Sequence, residues 1–246
     1  MKFSTTLFAA LLLFPAAMAW AESTNNLSSA ELEGRQLAQH LRNACPAQNL
    51  TNSANLKIRE AQKHTQEIPI RFQITVTDVA TSSWEARYET TGTNSEQVTI
   101  QHTAGQPSHY RMLTNGQAAE VSPGGVGRPF AGSDFWMCDL CLEFLHWPGQ
   151  KILPKTTNLK RGREYTLLES TSPNPPTNGY SRVLSWIDKE TGGILEAEAY
   201  DVKGKLLKDF APKEFKKVNG PWELQEMEMR NVQTGSRTRL EFDLKK

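Results

Sequence analysis

Cys138-Asp139-Leu140-Cys141, followed at once by Glu143 and His146, is the densest run of potentially reactive side chains in this sequence. A C-x-x-C pair can carry thiol–disulfide chemistry when it sits at a strand-to-helix turn in a βαβ setting. The flanking residues here alternate as antiparallel strands do, so the pair reads as small apolar side chains on a buried helix or as a local disulfide. Cys45 is left as the odd thiol. Glu143-x-x-His146 beside two cysteines suggests a metal site, yet zinc takes four ligands, normally from paired short-spacing motifs. No second C-x-x-C, no H-x3–5-H and no H-E-x-x-H is present, and histidines 40, 64, 102, 109 and 146 are scattered singly. A solvated Glu and His at a helix rim is the expectation, with no metal.

Nucleophilic catalysis finds no support. G-x-S-x-G is absent, and Gly124, Gly125 and Gly127 lack the following Lys-Ser/Thr of a phosphate-binding loop. They read as a turn that lets the chain leave a sheet. No catalytic residue and no cofactor is expected. Lys151, Lys155, Lys160, Arg161 and Arg163 have no acid between them and could meet anionic headgroups or an acidic partner surface, though such runs are more often a solvated edge or hairpin loop.

The elements around these residues come from periodicity. Ser28 and Glu31 form a capping box ahead of Leu32, Leu37, Leu41 and Ala44, and Pro46 stops that helix. Beyond it the period becomes two: Ile70, Phe72, Ile74, Val76; then Trp84, Ala86, Tyr88; then Val98, Ile100, His102; and finally Leu240, Phe242, Leu244. Turns such as Thr114-Asn115-Gly116, Thr191-Gly192-Gly193, Lys203-Gly204 and Thr234-Gly235 separate the segments, which favours an antiparallel meander. The stretch from Phe135 to Trp147 breaks the rhythm. Leu140, Phe144 and Trp147 fall at i, i+4, i+7, predicting a short helix that ends before Pro148. The expected fold is mainly β (α+β): a long curved antiparallel sheet forming an incomplete barrel, with an N-terminal helix and a short helical insert over its concave face. Such a sheet with few helices either keeps an apolar concavity under a partial lid or is plugged by the insert.

Of 246 residues, 38% are hydrophobic and 22% charged, with a net charge of +1 that disfavours a nucleic-acid binder. Lys2, the apolar run Leu7–Phe14 and the small-residue frames Ala17-Met18-Ala19 and Ala19-Trp20-Ala21 form a signal-peptide pattern over residues 1–21. Cleavage near Ala19 or Ala21 is expected, leaving a neutral exported chain, residues 22–246, as one domain.

Three passages carry a family resemblance: Phe130-Ala131-Gly132-Ser133-Asp134-Phe135 running into Asp139-Leu140; Glu164–Glu169 with Ser185–Thr191; and Glu198–Lys205 with Met229–Thr238. In order and spacing they resemble the outer-membrane lipoprotein-sorting proteins, a LolA-like family related in fold to the periplasmic lipoprotein carriers. The resemblance implies a curved half-barrel that holds acyl chains in an apolar cavity, lined or gated by Trp84, Phe135, Trp136, Leu140, Phe144, Leu145 and Trp147. It implies a periplasmic, monomeric, non-enzymatic carrier of lipid or lipoprotein acyl chains. Its partners would be an inner-membrane transporter or an outer-membrane acceptor. Cys138 and Cys141 depart from the family's pattern, so a disulfide or thiol role for them stays open. Rival readings are an exported hydrolase or thiol enzyme acting on lipid or envelope substrates, and a sensor of envelope stress.

Overall fold

Polar turns only a few residues long restrict neighbouring strands to antiparallel pairing, and the computed structural model follows that restriction throughout. It describes residues 27–244 apart from 44, 45, 47, 62, 63, 93, 94, 122–124 and 219–221. The signal-peptide segment, Cys45 and Gly124 lie outside the described residues.

After helix α1 (Ser29–Arg42) come β1 (Leu50–Arg59), β2 (Thr65–Asp78), β3 (Ser83–Thr90), β4 (Glu96–His102), β5 (His109–Thr114) and β6 (Gln117–Val121). The insert follows, with helix α2 (Met137–Leu140) and a 3-10 turn (Glu143–His146). Then come β7 (Gly149–Leu153), β8 (Tyr165–Thr171), β9 (Arg182–Asp188), β10 (Ile194–Tyr200), β11 (Leu206–Lys217), β12 (Trp222–Asn231) and β13 (Arg237–Phe242). All thirteen strands form one antiparallel sheet in the order β6-β5-β4-β3-β2-β1-β13-β12-β11-β10-β9-β8-β7. The sheet is not closed into a barrel. Its first and last strands pair at the centre, Leu56 opposite Leu240, while β6 and β7, consecutive in sequence, form its two edges.

Alternation decides which face is apolar. Ile70, Phe72, Ala86, Tyr88, Val98, Ile100, Met229 and Leu240 are buried in one cluster on the concave side. His102, which shares the parity of Val98 and Ile100, is buried with them. β1 is a strand the periodicity did not announce, because Thr51, Asn52, Ser53 and Asn55 dilute its buried Ala54, Leu56 and Ile58. On the convex side the β7–β8 connection folds over Tyr165, Leu167 and Trp186. Its basic residues have partners there: Lys160 and Arg161 reach Glu196, Arg163 reaches Asp188, and the Lys160 amine lies 3.9 Å from the Trp186 ring centre. The basic stretch is thus an ion-paired face of the sheet.

The expected capping box is present, with Ser28 Oγ donating to the Glu31 carboxylate at 2.6 Å and the Ser28 backbone N–H at 2.8 Å. Those bonds hold the Glu31 carboxyl below its usual range. Gly34 and Ala38 are the buried positions of α1, Leu37 and Leu41 pack beside them, and Leu32 is exposed. The helix lies on edge strand β7 so closely that a Cβ on Gly34 would stand 2.5 Å from the Lys151 nitrogen. Gly34 is therefore what lets α1 cover an edge that would otherwise be open for pairing.

The single helix expected for Phe135–Trp147 is broken in two. Leu142 adopts a left-handed φ of 51°, separating α2 from the 3-10 turn. One straight helix would bury a stripe, whereas Met137, Cys138 and Asp139 are buried consecutively and so are Phe144 and Leu145. The bend at Leu142 turns both runs inward. Among the described residues, no helix is long and apolar enough to cross a membrane.

Gly34→Ala should destabilise the protein by about 1–3 kcal/mol, as overpacking of a tight contact does. An exposed helix glycine would instead gain about 0.5–1 kcal/mol from the same change. Urea unfolding separates the two, and a stabilised variant would refute the close approach.

Candidate functional site

The insert enters the concave face through a small fold-back. Phe130 N–H donates to Phe135 O at 2.9 Å and Met137 N–H to Arg128 O at 3.1 Å, with the turn made by Ala131 and Gly132 at positive φ. Phe130, Phe135, Met137, Phe144 and Leu145 then fill the space under the sheet. Asp134 ties this fold-back to the start of β13: its carboxylate accepts from Thr238 Oγ1 at 2.9 Å and Ser236 Oγ at 2.6 Å.

A second tie runs to β11, two strands away. Lys208 on β11 shares the inward parity of Phe210 and is 2% exposed. Its Nζ stands 3.6 Å from Asp139 Oδ2, donates to the Asp134 carbonyl, and lies 3.6 Å from the Trp136 ring centre. Trp136 in turn stacks on Tyr180 at 4.7 Å, and the Tyr180 hydroxyl donates to Asp139 Oδ2 at 3.2 Å. Burial pushes the Asp139 carboxyl up and the Lys208 amine down, each opposed by the charge of the other. Beside the pair, among Asp139, Phe144, Tyr180, Val183, Lys208 and Met229, only about 10 Å³ is empty. That is about the space of one water. The insert plugs this part of the concavity.

A third polar group holds the other end of the insert. Tyr110 donates to Glu143 Oε2 at 2.7 Å, and Arg42 donates to Leu145 O at 3.1 Å. His102 and His146 meet edge-on with ring centres 5.6 Å apart. Burial raises the Glu143 carboxyl to about 7, and burial with the Arg42 charge lowers the His146 imidazole to about 4. Cys138 and Cys141 are free thiols. Burial holds Cys138 far above the ordinary thiol range and Cys141 at about 11, so both stay protonated at neutral pH and are poor nucleophiles. No group of three or more His, Cys, Asp or Glu among the described residues could hold a metal ion.

Open apolar surface occurs elsewhere. A cleft of about 390 Å³ at the other end of the concave face is lined by Leu50, Phe72, Ile74, Leu224, Phe242 and Leu244. Gln48, Asn52 and Glu223 are its polar members. Its floor is the Phe72 ring, packed against Tyr88 at 4.8 Å and Phe242 at 5.5 Å. None of the seven residues expected to line or gate a cavity borders this cleft. Phe135, Phe144 and Leu145 are core, while Leu140 and Trp147 pack half-buried against it. Trp136 is the stacking plate over Lys208, and Trp84 rests on His102 with ring centres 5.0 Å apart. Phe72, Ile74, Phe242 and Leu244 were visible as inward strand positions, but nothing in their spacing says that no cover reaches them. Lys208 carried a signal too: a lysine in phase with Phe210 on an alternating strand.

Lys208→Met should cost about 3–5 kcal/mol, because it leaves Asp139 buried without its counter-charge. Pairing it with Asp139→Leu should recover much of that loss in urea unfolding. A single variant as stable as the parent would show that the pair does not hold the insert. The pH response of the insert has two opposed parts. Glu143, raised in the fold, contributes less stability as pH climbs from the usual carboxylate range to about 7. His146, lowered in the fold, contributes more as pH climbs from about 4 to the usual imidazole range. Glu143→Gln removes the first part, so its stability should rise with pH over about 4–6.5 more steeply than the parent's.

Comparison with known proteins agrees with this geometry. A family model described as "Uncharacterized protein" matches residues 116–245. No curated protein matches the sequence. A domain from Vibrio parahaemolyticus named as an outer membrane lipoprotein-sorting protein superposes with a TM-score of 0.70 at 20% identity, covering 87% of this chain and 91% of that one. A DUF1329 family protein from Desulfovibrio piger gives 0.69 at 16% identity, covering 88% and 92%. A LolA superfamily protein from Nitrosomonas europaea gives 0.61 at 14% identity, again covering 88% and 92%. At these identities the likeness is one of fold. The family model spans more than half of the sequence, so the chain belongs to that family, and its fold is that of the LolA-like lipoprotein-sorting proteins.

Proposed function

We propose that this protein is a periplasmic carrier that seats an acyl chain of a lipid or lipoprotein in the cleft between β1, β2, β12 and β13. The observation that carries the reading is the cleft itself: six apolar side chains around about 390 Å³ of open space on the concave face. That volume falls within the roughly 300–1,000 Å³ usual for ligand sites. Each methylene moved from water into it contributes about 0.8 kcal/mol. About eight of them would therefore give roughly 6 kcal/mol before the costs of ordering chain and protein.

Export by residues 1–21 would deliver residues 22–246 as one binding domain to the compartment where such cargo crosses between membranes. The role is sequestration without chemistry. Both described thiols are held protonated, and the buried carboxylates are engaged with Lys208, Thr238, Tyr110 or Arg163. An inner-membrane donor or an outer-membrane acceptor would supply and remove the cargo.

Organic extraction of the purified protein, followed by mass spectrometry, should recover an acyl lipid, and a fluorescent fatty-acyl probe should bind. Leu50→Asp, which sets a charge at the cleft wall, should weaken the probe at least tenfold with the fold intact by circular dichroism. Cys141→Ser should leave probe binding unchanged. Absence of both co-purifying lipid and probe binding would end the carrier reading.

A further inference from the structure

The carrier reading leaves open how cargo reaches a cleft on a protein surrounded by water, and the strands beside the cleft bear on it. β11 and β12 run on past the covered part of the sheet, with Phe215 opposite Leu224 and Lys217 opposite Trp222. Positions two apart on paired strands share a face, so Phe215, Lys217, Trp222 and Leu224 lie on one side of this hairpin. Phe215 is 52% exposed and Trp222 66% exposed. Leu224, between them, also lines the cleft.

We infer that this face of the β11–β12 hairpin docks the protein on an anionic lipid surface, with the cleft mouth alongside. Three observations favour lipid over a protein partner. An exposed Trp and Phe beside a lysine is the combination that settles at the headgroup level, where rings enter the apolar boundary and the amine meets phosphates. The Lys217 amine is 5.2 Å from the Trp222 ring centre. Among the described residues no carboxylate lies within ion-pair distance of Lys217, whereas Lys57 and Lys213 on the same sheet each have one. Two aromatic side chains are also a small patch beside the roughly 800 Å² that a stable protein interface takes from each partner. Continuity through Leu224 then gives an acyl chain a route from bilayer to cleft along apolar side chains. This inference extends the carrier reading, but the docking itself is measured without cargo.

The test is flotation of the purified protein with vesicles of phosphatidylglycerol and phosphatidylethanolamine, set against vesicles of phosphatidylcholine alone. Binding to the anionic vesicles is expected, weakening as salt rises. The double variant Phe215→Ser, Trp222→Ser should reduce it at least tenfold, and Lys217→Glu should weaken the preference for anionic lipid. Because none of Phe215, Lys217 and Trp222 borders the cleft, fatty-acyl probe binding should stay at the parent's level in every variant. Failure of probe binding in the parent would strike the carrier reading, while failure of flotation alone would strike the docking surface. No binding to either vesicle, or a double variant that floats like the parent, would overturn the inference. So would loss of a membrane-protein contact in the variants without any change in flotation.

Discussion

The sheet begins in its own middle, and the rest of the molecule follows from that. With β1 paired to β13, the strands before and after the insert are pushed outward until β6 and β7 stand at opposite edges. The chain between them has to cross the open side of the curved sheet, because a path over the convex side would leave the concave apolar face without cover. A connection thereby becomes a cover. Its composition suits that duty, since Phe130, Phe135, Met137, Phe144 and Leu145 are all buried. The same topology leaves β7 at an edge, and α1 closes that edge by the close approach at Gly34.

A covering segment needs its position fixed, and apolar contact alone is non-directional. The polar ties supply direction. Lys208 has three ammonium hydrogens to satisfy, and its surroundings offer the Asp139 carboxylate, the Asp134 carbonyl and the face of Trp136. A buried pair of this sort adds little net stability over an apolar replacement, because desolvation of both charges offsets their attraction. Its effect is on register: displacing the insert by a residue would leave a charge or a carbonyl unmatched. Asp134 on Thr238 and Ser236 does the same two strands away, on β13 and the turn before it. These ties come from three different strands or loops, so the insert is located against the sheet as a whole.

Much of the fold was legible because strands with one wet face write their orientation into alternating residues. Ile70–Val76, Trp84–Tyr88, Val98–His102 and Leu240–Leu244 each point inward as their parity requires, and the Ser28–Glu31 capping box starts α1 as expected. Less could be read where burial is not periodic. The insert is buried on adjacent residues, which a helical stripe cannot express, so its bend at Leu142 left no trace in the pattern. The pairing of β1 with β13 joins residues nearly two hundred positions apart, beyond the reach of any turn signal. For the site, the apolar concentration at Phe135–Trp147 drew attention to the plug. The cleft residues are ordinary inward strand positions, and their significance depends on their being left open by the described residues.

Strand length explains where that cover stops. β2 has 14 residues, β11 12, and β1 and β12 10 each. The outer strands β5, β6 and β7 have five or six. At about 3.4 Å per residue, β2 runs between about two and three times as far as these. The insert is anchored near the beginning of β11 by Lys208 and the beginning of β13 by Thr238. β10 pairs with β11 only beside that anchor, at Leu206–Phe210, while β11 and β12 run on past it. The long central strands continue past it at the other end, where Leu50, Ile74, Leu224 and Phe242 stand together. An alternating strand keeps its apolar face inward for its whole length, so an overhang of the long strands produces an uncovered apolar surface as a direct consequence. That overhang holds both the cleft and the exposed Phe215 and Trp222, which places binding surface and outermost aromatic residues at one end of the molecule. The division of the concave face into a plugged end and an open end therefore follows from a mismatch between the length of the central strands and the reach of the segment that crosses them.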